Sequence, residues 1–251
     1  MSYLGDHAPD QPSEDRLPAH TARRPLTPQD AGGANPLTQY FLANEGRLIH
    51  KWMHYFDIYH RHFEPFRGRP VTVVEFGVYH GGSLQMWKHY FGAGARIVGV
   101  DVNPACKALE EDQIEIVIGD QEDRAFLAGL RERIGPVDIV IDDGGHTMAQ
   151  QIATFEEMFP AVRNGGVYLV EDLHTSYWEE YGGGYKAEGS FIEYAKDLVD
   201  QLHGWHRREE PAPVTDYTRQ IRGMHVYDSV IVLDKDVVGP PDVQKTGKES
   251  F

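Results

Sequence analysis

Between residues 71 and 170, five short β-branched runs alternate with longer segments, and no other feature constrains the fold as strongly. The runs are residues 71–76, 96–100, 114–118, 137–141 and 167–170. Helical patterns fall between them at 84–91, 124–134 and 150–162, the last stopped by Asn164-Gly165-Gly166. Strands separated by helix-length segments need crossover connections, and these place helices on both faces of a parallel sheet. Residues 221–227 and 229–233 are two further strand-like runs with almost nothing between them. Only an antiparallel hairpin can join strands that close, since a parallel crossover needs many more residues. The expectation is an α/β fold with a mostly parallel seven-stranded sheet ending in that hairpin.

The flanks read differently. Residues 1–34 are rich in Pro, Asp, Gly and Ala without periodicity, which predicts a flexible N-terminal arm, one that could order against a partner subunit. Residues 35–70 carry aromatic and apolar residues at helical spacing (Tyr40, Phe41, Ile49, Trp52, Phe56, Tyr59), predicting one or two amphipathic helices. Their histidines, His50, His54, His60 and His62, could suggest a metal site but are read as helix surface and core packing. Residues 71–238 form the principal domain, with an insertion at 177–215, and 239–251 are a polar tail.

Composition narrows the class. With 24 basic against 39 acidic residues the net charge is −15, which argues against a nucleic-acid partner. No apolar stretch approaches the roughly 18 residues of a membrane span, and Met1-Ser2-Tyr3-Leu4-Gly5-Asp6 lacks a secretory pattern. The single cysteine, Cys106, excludes an internal disulfide framework. A cytoplasmic protein without membrane partners is expected. The aromatic N-terminal helices and the arm suggest a homo-oligomer.

Candidate chemistry lies at the strand ends. Asp142-Asp143-Gly144-Gly145-His146 directly follows an apolar run, and ligands of open α/β sheets sit just beyond the carboxyl ends of such strands. Two carboxylates about 4 Å apart repel by roughly 4 kcal/mol at an effective dielectric of 20, so a cation belongs there. Glu75-Phe76-Gly77-Val78-Tyr79-His80-Gly81-Gly82-Ser83 is a glycine-rich strand-to-helix turn, but not the Gly-x-Gly-x-x-Gly of pyrophosphate binders. On its own it reads equally well as a turn with Ser83 as helix cap. Asp101 ends the second strand, where a carboxylate can accept from both hydroxyls of a ribose. Asp120, with Gln121 beside it, is placed to meet an adenine amino group. Such a row of acidic residues suits a nucleoside without phosphates, and the sulfonium of S-adenosylmethionine favours an acidic cleft.

From these residues the chain resembles the Rossmann-like S-adenosylmethionine-dependent methyltransferases, over about residues 71–233. Residues 75–83, 98–104 and 141–147, together with Glu171-Asp172-Leu173-His174-Thr175-Ser176-Tyr177-Trp178, are similar to the metal-dependent sugar O-methyltransferases of antibiotic pathways, of macrocin and mycinamicin type. The resemblance implies S-adenosylmethionine held by Glu75, Gly77, Tyr79, Gly81, Ser83, Asp101, Asp120, Gln121 and Asp142, and Mg²⁺ ligated from the two acidic motifs. The residues agree: Asp143, Glu171 and Asp172 end two strands expected to be neighbours, and all-oxygen ligation suits Mg²⁺ better than zinc. His146 is the candidate general base, because its ordinary pKa is near neutrality; the alternative is a helix cap or a ring packed on Trp178. Asp142 would support the methionine portion of the cofactor or the groups behind the metal.

The substrate side is less defined. His174, Tyr177 and Trp178 are candidate substrate contacts, and Tyr181-Gly182-Gly183-Gly184-Tyr185 reads as a lid over a sugar ring or as a plain loop. Arg207-Arg208 reads as a solvated helix end. The expected substrate is a deoxysugar, nucleotide-linked or on a natural-product glycoside. A catechol-type methyltransferase and a non-catalytic scaffold are the competing readings.

Overall fold

The computed structural model describes residues 35–209 and 214–251. The expected arm, residues 1–34, lies outside the described residues. Seven strands form one sheet: β1 (Val71–Phe76), β2 (Ala95–Asp101), β3 (Ile114–Ile118), β4 (Val137–Asp142), β5 (Val162–Val170), β6 (Ile221–Tyr227) and β7 (Val230–Lys235). Their order is β3-β2-β1-β4-β5-β7-β6. The first five are mutually parallel, β7 pairs antiparallel with β5, and β6 closes the hairpin. The chain therefore winds outward in one direction from β1 through β2 and in the other from β4. The switch point between β1 and β4 is where an open α/β sheet leaves a crevice.

Side-chain alternation along the strands builds two cores. Val74, Phe76, Val140, Tyr168 and Val170 face α4 (Arg124–Ile134), α5 (Met148–Met158) and α6 (Phe191–Leu202). Val73, Ile97, Ile139, Ile141 and Leu169 face α2 (Tyr55–Phe63) and α3 (Gly82–Phe91). Short α1 (Pro36–Leu42) is capped by the Asn35 carboxamide, which accepts from the Leu37 and Thr38 N–H groups.

The N-terminal helical segment is thus part of the domain. Phe56, Tyr59 and Phe63 of α2 are fully buried, and Tyr59 and Phe63 meet the Trp87 ring at centroid distances of 5.2 and 5.7 Å. The aromatic face on which assembly was expected is spent inside the chain, and it gives no argument for an oligomer. The histidines of this segment do not converge either. His54 meets the Asp228 carbonyl, His60 the Tyr90 hydroxyl and His62 the Tyr227 hydroxyl.

Two elements differ from the sequence reading. β5 begins at Val162, ahead of Gly165-Gly166, because the chain pairs Val162 with Val137 across an irregular register before Val167 meets Ile139. A short helix α7 (Asp216–Gln220), started by a Thr215–Thr218 capping box, leads into β6. No helix among the described residues is long and apolar enough to cross a membrane.

Candidate active site

A cavity of about 420 Å³ opens at the carboxyl ends of β1, β2, β4 and β5, within the range of small-molecule sites. Gly77, Tyr79, Ser83, Asp101, Asp120, Gln121, Asp143, His146, Asp172, His174 and Trp178 all line it. Glu75, Asp142 and Glu171 stand behind the wall with no exposure, Gly81 caps α3 in the left-handed region, and Tyr177 points to solvent.

The floor is built by β1 and β4 running close together. Gly77 has φ +90°, and a Cβ there would sit 2.0 Å from the Asp143 carbonyl oxygen. The Asp143 N–H donates to the Phe76 carbonyl at 3.0 Å, so the strands stay paired up to the motif. Only glycine lets the two strand ends approach this closely. Beyond them the backbone is strained: Tyr79, His146 and Asp172 are non-glycine residues with φ of 51°, 58° and 55°. Left-handed non-glycine residues cost about 1–3 kcal/mol each and persist where surrounding contacts over-determine them. Here the contacts are visible. Thr147, with Gln150, caps α5 in a capping box, so His146 is released from capping. The Thr175 hydroxyl donates to both the His146 and Asp172 carbonyls, at 3.0 and 2.8 Å.

His146 Nε2 lies 3.3 Å from Asp172 Oδ2, while its Nδ1 is buried without a partner. Ligand atoms of Asp143, His146 and Asp172 lie within 4.8 Å of one another. The Tyr55 hydroxyl donates to Asp172 Oδ1 at 2.7 Å. Burial and the Asp172 carboxylate raise the Tyr55 phenol's pKa, so it stays a donor and fixes the carboxylate's orientation.

Lys51 is the residue that no sequence pattern announced. Its ammonium is 4% exposed, donates to Asp143 Oδ2 and, at 2.7 Å, to Glu171 Oε2, and lies 3.9 Å from Glu75 Oε1. Burial opposes its charge, but the Asp143, Glu171 and Glu75 carboxylates outweigh burial and hold it protonated. The cationic partner required by the clustered carboxylates is therefore supplied in part by the chain itself. Glu75 is otherwise occupied by the Ser83 hydroxyl at 2.7 Å and the Trp87 indole N–H at 3.0 Å. Burial pushes its carboxyl up to about 7 despite Lys51. These contacts make Glu75 a brace for the turn, not a wall of the cavity.

Three expected cofactor contacts, Gln121, Asp142 and Asp101, are also engaged internally. Gln121 donates to Asp142 Oδ1 at 3.0 Å and to Thr154 Oγ1 at 3.2 Å, and its carbonyl accepts from the Gly145 N–H at 2.9 Å. It holds the acidic motif in place, and a Cβ at Gly144 would lie 1.7 Å from Gln121 Oε1, so any larger residue there would displace this amide. Asp142 is pushed up to about 7 by burial, against the Gln121 hydrogen bond, and its Oδ2 has no partner. Asp101 Oδ2 accepts from the Val78 and Tyr79 N–H groups at 2.8 and 3.1 Å, and Oδ1 from Asn103 N–H at 2.8 Å. It orders the glycine-rich turn, and Oδ1 keeps a further lone pair.

The donor set fits a hard divalent cation. Asp143 and Asp172 present oxygens to the cavity with His146 adjacent, and Glu171 Oε1 is buried without a partner while Lys51 takes Oε2. An orphaned buried carboxylate oxygen is costly, and a cation would relieve it. The turn likewise fits a nucleoside, with Asp101, Asp120 and the Gly77 approach on one wall.

At the mouth, the His174 ring packs between Trp52 and Trp178 at centroid distances of 5.4 and 4.7 Å, and its Nδ1 meets Ser229 Oγ at 2.7 Å. Burial lowers its pKa, so the ring is neutral near pH 7. The N-terminal segment closes the opposite side with Leu48, Ile49, His50 and Lys51. Sequence reasoning assigned this segment no part in the site. A lone lysine ahead of an aromatic helix carries no local signal of where its ammonium points.

The parallel sheet ended by an antiparallel hairpin is a Rossmann-like methyltransferase fold, and residues 74–173 match the family described as "Methyltransferase domain". The relatives carry more specific names, each that of an O-methyltransferase. The 8-demethyl-8-(2-methoxy-alpha-L-rhamnosyl)-tetracenomycin-C 3'-O-methyltransferase of Streptomyces olivaceus is 43% identical over 196 residues, 73% of this chain and 50% of the relative. Demethylmacrocin O-methyltransferase of Streptomyces fradiae is 37% identical over 214 residues, 81% of this chain and 53% of the relative. The solved structure of the MycE methyltransferase with Mg, SAH and Mycinamycin VI aligns with a TM-score of 0.71 at 34% identity, covering 80% of this chain and 53% of that one. This chain spans about half the length of the relatives it matches.

Proposed function

We propose that this chain transfers a methyl group from S-adenosylmethionine to a hydroxyl of a deoxysugar carried by a natural-product glycoside, with Mg²⁺ assisting. The observation that carries the proposal is the convergence of Asp143, His146 and Asp172 on one cavity beside the nucleoside-shaped turn at Gly77 and Asp101. The homologues, which act on rhamnosyl, macrocin and mycinamicin substrates by name, favour the glycoside over a catechol or a scaffold role.

S-adenosylmethionine supplies an electrophilic methyl, and a divalent cation supplies positive charge that favours ionisation of the acceptor hydroxyl. Asp143 and Asp172 would hold the cation, with Glu171 Oε1 behind them. Lys51 neutralises the second oxygen of Glu171 and braces Asp143, so the carboxylates keep their positions. Tyr55 fixes Asp172 through Oδ1 and leaves Oδ2 toward His146. His146 takes the hydroxyl proton at Nε2, where Asp172 stabilises the resulting imidazolium. Trp178 and the His174 ring form the aromatic side of the mouth, suited to one face of a sugar ring, and the buried floor excludes water.

The test is an acceptor panel of rhamnosyl, deoxyhexosyl and catechol compounds with deuterated-methyl S-adenosylmethionine, read by mass spectrometry. Label on a sugar oxygen is expected. Label confined to catechols, or no transfer to any acceptor despite cofactor binding, overturns the proposal.

A further inference from the structure

Outside the cavity lining, a second cluster of ligating side chains joins α2 to the terminal hairpin. His62 lies near the C-terminal end of α2, His225 on edge strand β6, and Asp234 on β7. One ligand atom from each lies within 4.8 Å of the others. His225 Nε2 is 2.8 Å from Asp234 Oδ2, and His62 Nδ1 is 4.0 Å from Asp234 Oδ1, so the two imidazoles address the two oxygens of one carboxylate. The rings meet edge to face at a centroid distance of 4.6 Å.

We propose that His62, His225 and Asp234 form a Zn²⁺ site that pins the N-terminal helical segment to the terminal hairpin. The residue types are right for a borderline metal: two imidazoles and one carboxylate, with a fourth position left for water. At zinc–ligand distances of about 2.0–2.2 Å, tetrahedral donors lie roughly 3.3–3.6 Å apart, and one ligand atom from each of the three residues already lies within 4.8 Å of the others, so a small side-chain adjustment closes the set. The outer shell is also in place. His62 Nε2 meets the Tyr227 hydroxyl at 2.9 Å, which orients the ring so that Nδ1 faces Asp234. Space for the fourth position exists beside Gly223, where a Cβ would sit no nearer than 3.7 Å to Asp234 Oδ2 and 3.9 Å to His225 Nε2. An entry path exists too, since the His225 and Asp234 side chains are 42% and 37% exposed.

The site has a structural consequence. The helix it clamps begins with Tyr55, which holds Asp172, and follows Lys51, which braces Asp143. A cross-link between α2 and the hairpin would fix the wall of the cavity from outside.

The experiment is Zn²⁺ binding alone, measured by equilibrium dialysis with elemental analysis, in an Asp143→Asn/Asp172→Asn background that disables the cavity site. One Zn²⁺ per chain at micromolar or tighter affinity is expected, with a rise in melting temperature. His225→Asn should weaken that binding at least 100-fold and abolish the rise, and Asp234→Asn should do likewise. Because His225 is partly exposed, its variant should keep the zinc-free melting temperature. No Zn²⁺ retained in the background protein, or retention unaffected by His225→Asn, overturns the proposal.

Discussion

Replacing Lys51 by Met removes the ammonium that sits among Glu75, Asp143 and Glu171. At an effective dielectric of 20, the attraction to Glu171 at 2.7 Å is about 6 kcal/mol and that to Glu75 at 3.9 Å about 4 kcal/mol. Desolvation of the ammonium offsets much of this, and removal of one partner of a buried pair typically costs about 3–5 kcal/mol. Against a total stability of about 5–15 kcal/mol, that lowers the melting temperature by roughly 6–20 °C for a domain of this size. Two further measurements separate charge from packing. Lys51→Met/Glu171→Gln should recover part of the loss, because the double change removes a stranded carboxylate. Added Mg²⁺ should stabilise Lys51→Met more than the wild type, because the cation then occupies an uncompensated acidic site. Urea and thermal unfolding with and without Mg²⁺ provide the assay. A Lys51→Met protein within about 1 kcal/mol of wild type, indifferent to Mg²⁺, would refute the reasoning.

Other outcomes follow from the same geometry. Gly77→Ala should abolish folding or cofactor binding, since its Cβ would meet the Asp143 carbonyl oxygen at 2.0 Å with φ at +90°; normal cofactor affinity by calorimetry would contradict the close approach. Tyr55→Phe should keep the fold and weaken Mg²⁺ binding about 10-fold or more, because Asp172 loses its orienting donor; unchanged Mg²⁺ affinity would remove that role. Lys235 gives a pH signature. It is buried, donates to the Phe159 and Pro160 carbonyls, and is pushed down to about 8 by burial. The unfolded chain then holds more protons between pH 8 and 10.5, so stability rises with pH across that window, by up to about 3 kcal/mol. The unfolding free energy of the wild type should rise relative to that of Lys235→Met between pH 7.5 and 10; parallel curves would contradict it.

The sheet was legible because each strand is a short β-branched run closed by a glycine or an acidic residue. The hairpin was legible because Tyr227 and Val230 leave no room for another connection. The acidic strand ends were legible for the same reason: a residue that ends a parallel strand has its position set by the sheet. Lys51 and Tyr55 were not, because they reach Asp143 and Asp172 from 92 and 117 residues away, and no local spacing encodes such a contact. Gln121 and Glu75 were placed at the right edge, but their hydrogen bonds inside the chain were not legible. Strand position fixes where a side chain starts, and packing against Thr154 or Trp87 decides where it ends. His62 shows the same limit, since its partners lie on strands more than 160 residues further along the chain.

The central claim is that Asp143 and Asp172 hold a cation beside a His146 base. Its most direct test is methyl transfer to a glycoside acceptor after chelation, on Mg²⁺ restoration, and in His146→Ala, with cofactor binding followed by calorimetry. Turnover should vanish with the chelator and return with Mg²⁺. His146→Ala should lose about 10²–10⁴-fold in rate while still binding S-adenosylmethionine. Chelator-resistant turnover, or near wild-type rates in His146→Ala, would contradict the account.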